Sequence, residues 1–451
     1  MRGRSVGCVA GALLVAACGV GESDLESELE LLELPALSDF SQTADPSVAL
    51  DPETGDLLLA WGGAAGGDEW DLWFARSSDG GSSFSTPVRV NDQPGDLYPH
   101  AEGSPRLVAA TGVVALFWNN RMEVEGRRFA ASDLRFARTV DGGATWSPAV
   151  NLQDPLQHSS LPPRGNTFHG AAWDGDSTLV VAWLDGRERD DRRIERGRAQ
   201  GLTREEAARS PEAFEDSADP RDGDATVFAA VSHDLGVSWE PENRRIEGRV
   251  CPCCRVSLAL TPQGELLGTW REHFPGSVRD PVMRPILNAP QEGATLRIHE
   301  DEWEYPGCPH SGPGLDVDPA GTIHAAWYTG AEGRRGIYHA RRYVGNDRFS
   351  PPTPVVTGEA VGVAHPAVVA LPDGGAILAQ NVDEEGRRVI GLAHLSPEGE
   401  ILHRIRVPDS DGGTHPQLLR LDDLRVVVAW TESRGGIQRA RAARMTLLGA
   451  P

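Results

Sequence analysis

The sequence predicts an all-β fold, a β-propeller of four-stranded blades, with seven blades as the first interpretation and six as the alternative. Two repeated patterns support this prediction. One is an apolar strand, a Gly/Asp turn and a second apolar strand that ends in Trp. The other is a turn in which Asp and Gly precede an aromatic residue. The composition agrees, because 51 Gly and 33 Pro among 451 residues suit many short strands and turns.

The chain begins with the features of a bacterial signal peptide. Two early arginines precede a short apolar run that ends in Val-Ala-Ala-Cys, which has the small residues of a lipoprotein cleavage site. Residues 1–17 are therefore predicted to be removed, Cys18 to be lipidated, and residues 18–43 to form an acidic tether. An ordinary secretory signal with a chance cysteine is the alternative. Because Gly19 follows Cys18, resemblance to bacterial lipoproteins indicates the outer membrane, on its periplasmic side or at the cell surface.

The body of the chain, residues 44–451, is predicted to be the propeller, because the strand–turn–strand unit recurs seven times. The second strand of successive units ends at Trp61, Trp118, Trp183, Trp270, Trp327, Gln380 and Trp430. A further strand usually follows, which gives the two hairpins of one blade. Residues 187–222 interrupt the third unit between its second and third strands. This charged, helix-favouring segment is predicted to be a solvated insertion, with a functional lid as the alternative.

The second pattern, Ser/Thr-x-Asp-x-Gly-x-x-aromatic, occurs three times. Its Asp residues are Asp79, Asp141 and Asp234, and its aromatic residues are Phe84, Trp146 and Trp239. Asp accepts hydrogen bonds from the backbone of its own turn, and Gly tolerates a positive φ. The turn is therefore predicted to be structural and to close the hairpin between the third and fourth strands of a blade.

Strand order decides at which end of the propeller each loop lies. In a four-stranded meander, the loop that enters strand one and the loop between strands two and three share one end. The Asp-containing turns lie at the other end. Because the inner strands surround the central channel, their entry loops are expected to converge at its mouth, where we expect His169, His365 and His415. For each histidine alone, the alternative is a structural hydrogen-bonding role.

The entry loops also carry four cysteines. Cys251, Cys253 and Cys254 lie in a Cys-Pro-Cys-Cys segment, and Cys308 lies in a Cys-Pro-His segment with His310. Thiolates with a neighbouring imidazole suit copper or zinc, so these five residues are a candidate metal site. In an oxidising compartment the alternative is a disulfide from Cys308 to Cys253 or Cys254, which would join adjacent blades. The two interpretations are compatible if one disulfide forms and the two remaining thiols bind a metal together with His310.

The repeated Asp turn resembles the Asp-box, or BNR, repeat, and the whole body is similar to a sialidase-family propeller. Sialidases that cleave sialic acid hold its carboxylate with three arginines and use an Asp acid/base and a Tyr–Glu nucleophile pair. By this resemblance, the catalytic candidates on the entry face are Arg121, Arg187, Arg271, Asp185, Glu272 and Tyr328. None of these arginines matches the family's positions by motif. Asp185 and Glu272 would suit a carboxylate-pair mechanism.

Three functions follow from these observations. The first is a lipid-anchored, sialidase-like propeller of the bacterial envelope that binds a glycan or a protein at the channel mouth, with no catalysis assigned. The second is an exo-sialidase or another glycoside hydrolase acting on acidic sugars. The third is an envelope propeller that binds copper or zinc through its cysteine loops. A net charge of −23 argues against nucleic acid as a partner.

Overall fold

The computed structural model describes most of the chain from residue 28 onward. The described residues are 28–35, 39–66, 69–123, 130–153, 165–209, 223–287, 295–358, 361–384 and 386–447. The predicted signal peptide, Cys18 and residues 210–222 of the insertion lie outside these ranges, so their cleavage, lipidation and role stay predictions. Among the described helices, none has the length and apolar character needed to cross a membrane.

The described residues form seven four-stranded antiparallel sheets, which confirms the all-β fold and the seven-blade interpretation. Blade 1 contains β2 to β5, at Gln42–Leu50, Leu57–Ala64, Asp71–Ser77 and Val88–Arg89. Blade 2 contains β6 to β9, at Arg106–Ala110, Val113–Asn119, Leu134–Thr139 and Val150–Asn151. Blade 3 contains β10 to β13, at Asn166–Trp173, Leu179–Asp185, Ala225–Ser232 and Arg244–Val250.

The next three blades follow the same order. Blade 4 contains β14 to β17, at Ser257–Leu260, Leu266–Arg271, Pro281–Pro285 and Leu296–Arg297. Blade 5 contains β18 to β21, at Gly314–Val317, Ile323–Thr329, Gly336–Arg342 and Thr353–Thr357. Blade 6 contains β22 to β25, at Ala367–Ala370, Ala376–Glu384, Arg387–Leu395 and Ile401–Arg406. In each blade, the first strand faces the channel and the fourth lies outermost.

Blade 7 takes its outer strand from the beginning of the chain. Its own strands β26 to β28 are Gly413–Arg420, Arg425–Arg434 and Ile437–Thr446, and β1 at Glu28–Leu31 pairs antiparallel with β28. Part of the predicted acidic tether is therefore a strand of the propeller. Its alternating Leu and Glu residues are the period-two pattern of a half-buried strand.

The core lies within and between the blades. The tryptophan that ends the second strand is fully buried in six blades, and Gln380 at the matching place in blade 6 is 2% exposed. Large aromatic side chains at one position of a repeat fill the space between neighbouring sheets. The sequence pattern thus marks the contact between one blade and the next.

The insertion in blade 3 lies between its second and third strands, as predicted. It forms a helix α1 at Arg187–Ala199 and a short helix α2 at Arg204–Arg209. Ile194 and Ala207 are buried, and α1 packs on β12. The described part of this charged segment therefore packs against the blade, and the buried residues of α1 are Asp190, Arg193, Ile194 and Gly197.

The Asp-box turns have one hydrogen-bonding scheme. In the second copy, the Thr139 hydroxyl and the Thr145 backbone N–H both donate to Asp141 Oδ1, at 2.6 and 2.9 Å. Hydrogen bonds from Ser83 hold the pKa of Asp79 at about 2 and keep that carboxylate ionised. These turns connect the third strand to the fourth, so they lie at one end of the propeller, here called the Asp-box pole. The loops that enter the inner strands lie at the opposite end, the entry pole.

Candidate functional site

Six side chains from five blades meet at the entry pole, on the propeller axis. We call this group the axial cluster, and its members are His100, Glu102, Phe168, His310, His365 and His415. The rings of His100 and Phe168 lie 5.3 Å apart, and those of Phe168 and His310 lie 6.4 Å apart. These contacts join blades 2, 3 and 5. Blade 4 lies between blades 3 and 5, so residues of those two blades can meet only near the propeller axis. The predicted convergence of the entry loops therefore takes place.

Glu102 is the buried centre of the cluster, with 3% exposure. Its Oε1 contacts His365 Nδ1 closely and lies 3.4 Å from His415 Nε2. The two imidazole rings stack with their centroids 3.7 Å apart. Burial alone would raise the pKa of Glu102, but attraction to the imidazoles outweighs it and leaves the pKa well below its usual range. Burial, followed by repulsion from His365, lowers the pKa of His415 to about 4.

The backbone at the entry pole is strained in a repeated way. Four residues with side chains have left-handed φ where an inner strand begins: Asp45 (54°), Phe168 (58°), His310 (51°) and His415 (51°). For a residue that has a Cβ, this conformation costs on the order of 1–3 kcal/mol and is concentrated at functional sites. In blades 1, 3 and 7 it coincides with a bulge in the pairing of the first two strands.

Next to the axial cluster, a cavity of about 190 Å³ occupies the channel between the inner strands. Arg106, Arg255, Ser257 and Gln417 supply polar groups to its wall. Arg255 is buried and donates to the carbonyl oxygen of Pro366, and Arg106 donates to that of His169. Burial and then repulsion from Arg255 lower the pKa of Arg106 to about 9. The channel therefore presents two guanidinium groups close enough to repel one another.

The four cysteines form a second cluster at the same pole. Cys251 Sγ lies 3.6 Å from Cys253 Sγ and 3.3 Å from Cys254 Sγ. The sulfurs of Cys251, Cys253 and Cys308 all lie within 4.8 Å of one another. Hydrogen bonds from neighbouring thiols lower the pKa of Cys308, whereas burial raises those of Cys253 and Cys254. His310 was predicted to join these sulfurs, but its ring contacts Phe168 in the axial cluster.

The three candidate arginines have separate partners. Arg121 is exposed, pairs with Glu123 at 2.6 Å and lies over the Tyr98 ring. Arg187 is held by Asp185 and Asn243 and lies over Phe228. Arg271 is fully buried, and its guanidinium donates to the backbone carbonyls of three residues, Arg279, Ser311 and Tyr328. Arg187 and Arg271 therefore secure loops, and the structure does not bring the three guanidiniums onto a common ligand.

The remaining catalytic candidates are also tied into the fold. Asp185 is fully buried and accepts hydrogen bonds from Trp183 and Arg187. Tyr328 is 3% exposed, with its ring against Trp303. Burial, with repulsion from Glu247 and Asp224, raises the pKa of Glu272 to about 8, so this carboxyl is a potential proton donor near neutral pH. None of these three residues is a member of the axial cluster.

Of the three histidines expected at the channel mouth, His169 does not reach it. It is fully buried between blades 2 and 3, with ring nitrogens 3.1 Å from Asn119 Oδ1 and 3.2 Å from the Phe117 carbonyl oxygen. Its left-handed neighbour Phe168 takes the axial place instead. His365 and His415 do meet, as expected.

The sequence reasoning missed Glu102, Arg106 and Arg255. Glu102 lies in a 3-10 turn, Ala101–Gly103, just before the inner strand of blade 2, and Arg255 lies just before that of blade 4. The strand-parity argument that selected the histidines places both at the entry pole. A search of the same positions for charged residues would have found them.

No protein-family model matches this chain, and neither does any curated protein sequence. Three solved structures are similar in fold. The BP39L lectin from Burkholderia pseudomallei has a TM-score of 0.54 at 10% identity, over 91% of this chain and 98% of the lectin. A polysaccharide lyase, the PL25 ulvan lyase bound to -[GlcA(1-4)Rha3S]-, has a TM-score of 0.52 at 12% identity, over 91% of this chain and 94% of the lyase. The intramolecular trans-sialidase from Ruminococcus gnavus has a TM-score of 0.44 at 12% identity, over 92% and 96%.

At these identities the similarity shows the propeller fold. The chain thus shares its fold with the lectin and the lyase. Membership of the sialidase family, which the Asp-box repeats predicted, stays a prediction.

Proposed function

We propose that this protein binds an acidic saccharide at the entry pole, with the Arg106 and Arg255 guanidiniums holding its carboxylate or sulfate groups. The observation that carries the proposal is the placement of two guanidiniums on the wall of one channel cavity of about 190 Å³. Each keeps donors beyond the single backbone carbonyl it contacts, and paired guanidiniums bind planar oxyanions in bidentate geometry.

Electrostatics supports an anionic ligand. Burial lowers the pKa of both Arg106 and Arg255, and repulsion between them adds to the effect on Arg106. An anion placed between them would relieve that repulsion in a site from which water is partly excluded. The proposal also agrees with two proteins of the same fold, one named a lectin and one solved with a glucuronic acid–sulfated rhamnose chain. Their ligands are properties of those proteins, and the guanidinium pair is the argument for this one.

The test is calorimetric titration with a panel of acidic and neutral oligosaccharides. We expect acidic members to bind and neutral members of equal length not to. Arg106→Gln and Arg255→Gln should each weaken binding by roughly 10- to 100-fold, as expected for a charge-assisted hydrogen-bonded contact. Arg387→Gln, an exposed arginine of blade 6 that pairs with Asp411, is the matched control and should bind normally. Binding that survives both channel substitutions, or no preference for acidic saccharides, would overturn the proposal.

A second candidate function is favoured by the cysteine cluster. We propose that Cys251, Cys253 and Cys308 bind a copper or zinc ion, because three sulfurs within 4.8 Å of one another offer the soft ligand set of Cu(I) or Zn²⁺. Cys308 comes from the loop before blade 5 and the other two from the loop before blade 4, so the ion would join adjacent blades.

Metal analysis and thiol titration of the protein, purified without added reductant, test this candidate. We expect about one equivalent of copper or zinc, lost in Cys308→Ser and retained in Cys254→Ser, since Cys254 lies outside the group of three. Protein with less than about a tenth of an equivalent of metal and all four thiols oxidised would instead support the disulfide alternative.

A further inference from the structure

Three side chains of the axial cluster form a second group with metal-ligating chemistry. They are Glu102 before blade 2, His365 before blade 6 and His415 in the first strand of blade 7, and their ligand atoms all lie within 4.8 Å of one another. Two blades, 7 and 1, separate blade 6 from blade 2 around the ring. The three residues can meet only because the loop that carries Glu102 extends to the axis, where Ser104 also accepts a hydrogen bond from Gln417 of blade 7 at 3.1 Å.

The Glu102 carboxylate lacks ordinary hydrogen bonds. Its side chain is 97% buried, and neither oxygen accepts a hydrogen bond of normal geometry from the described residues, although the two imidazoles crowd against it. A buried carboxylate needs positive charge beside it, and a metal ion held with the two imidazoles supplies that charge, as a protonated imidazole also would. His100, which precedes Glu102 by two residues, has an Nδ1 that is likewise buried and unpartnered among the described residues.

His415 is held by a neighbouring side chain in the way a metal ligand is. His415 Nδ1 lies 2.8 Å from the Thr414 hydroxyl, so in the tautomer that donates from Nδ1 the lone pair of Nε2 is directed at Glu102. Metal-binding histidines usually have the second ring nitrogen fixed in this manner. The backbone N–H of His365 donates to Asn381 Oδ1 at 3.2 Å. His415 also keeps a left-handed φ of 51°, a strain that places its ring over that of His365.

We propose that Glu102, His365 and His415 bind one divalent transition-metal ion, such as Zn²⁺ or Co²⁺, at the entry pole. Two imidazoles and a carboxylate are a borderline donor set that suits these ions, and three protein ligands leave coordination positions open toward the channel. The site is distinct from the cysteine cluster in its residues and in its ligand type. It goes beyond the proposed saccharide binding, because it requires no saccharide.

Nearby charges set limits on this site. Arg106 and Arg255 interact with Glu102 and oppose a second cation, whereas Asp45, buried beside them, favours one. The competing interpretation is a cluster without metal, in which one protonated imidazole balances the carboxylate. The two interpretations differ in whether a metal ion alone binds, and in which side chains it needs.

The experiment is titration of the purified full chain with Co²⁺ alone, followed by calorimetry and visible absorption. We expect one equivalent to bind with the weak absorption bands of nitrogen and oxygen ligands. Any equivalent taken by the cysteine cluster is told apart by the intense near-ultraviolet charge transfer of thiolate ligands. Glu102→Gln, which keeps the shape of the side chain, should weaken this binding by at least about 100-fold, more than loss of a supporting contact does. His415→Asn should do the same, and Asn tolerates the left-handed backbone.

The matched control is His310→Asn. It removes another imidazole of the axial cluster that also has a φ of 51°, but one that lies outside the group of three. It should retain Co²⁺ binding and the rise in melting temperature that bound ion produces. The proposal is overturned if Co²⁺ gives only the thiolate signal, if Glu102→Gln and His415→Asn bind as the parent does, or if His310→Asn loses as much affinity as they do. Because no saccharide is present, failure here leaves the saccharide proposal to its own test.

Discussion

At the scale of single residues, the glycines of the Asp boxes do more than permit a turn. The Cβ that Gly143 lacks would lie 2.1 Å from the Phe74 ring of blade 1, and that of Gly236 would lie 2.4 Å from the Phe136 ring of blade 2. Trp146 and Trp239 contact the same two rings, at 5.3 and 5.0 Å between centroids. The sequence analysis treated the Asp box as a local hairpin closure. In the structure, it is also the contact by which one blade packs on the preceding one.

This dual role predicts a difference between two glycine substitutions. Gly143→Ala and Gly112→Ala both place a Cβ at positive φ, 94° and 70°, but Gly112 has nothing within 4 Å of the new atom. Gly112→Ala should therefore cost only the backbone strain, about 1–2 kcal/mol. Gly143→Ala should cost about 1–3 kcal/mol more, because Phe74 must move. The urea midpoints of the two variants measure the difference, and equal midpoints would show that the Asp box acts only within its own hairpin.

At the scale of elements, most strands could be predicted because their apolar residues recur in a pattern that burial in a propeller requires. An apolar second strand that ends in Trp repeats, since that tryptophan fills the same gap between blades each time. The first strand of the chain was missed for an equally physical reason. Glu28–Leu31 has only four residues, it lies far from its partner in sequence, and nothing local shows that Ile437–Thr446 has a vacant edge.

The position of the site could be predicted from the sequence, but the residues that form it could not. Strand parity places the entry loops at one pole, and it correctly brought His365 and His415 together. It could not decide which way a side chain turns. A left-handed residue followed by a bulge directs Phe168 to the axis and buries the adjacent His169 between blades. It also could not show that the guanidinium of Arg271, which lies on the correct face, donates its hydrogen bonds to backbone carbonyl oxygens.

At the scale of the whole molecule, the axial cluster exists only while the ring is closed. Glu102, His365 and His415 span 313 residues of the sequence, and no two of them belong to the same blade. At the closure, β1 gives blade 7 its fourth strand and covers the edge of β28, while β2 of blade 1 packs on β26 to β28. An uncovered edge would leave a row of backbone donors and acceptors unpaired. The strand Glu28–Leu31 therefore completes the blade that carries His415, nearly 400 residues later in the sequence.

The closing strand can be tested with two neighbouring leucines. Leu32 is buried against Leu57, Val427 and Ala442, so it joins blade 1 to blade 7, whereas Leu31 is 42% exposed. Leu32→Ala should lower the free energy of unfolding by about 2–3 kcal/mol, the lower part of the range for a buried leucine, because the cavity lies near a chain end that can relax. Leu31→Ala should change it by less than about 0.5 kcal/mol. Urea denaturation followed by tryptophan fluorescence measures both, since six fully buried tryptophans report on the blades. If Leu32→Ala left the free energy of unfolding unchanged, the ring would close without this segment. The geometry of the entry pole would then depend on the remaining strands of blade 7.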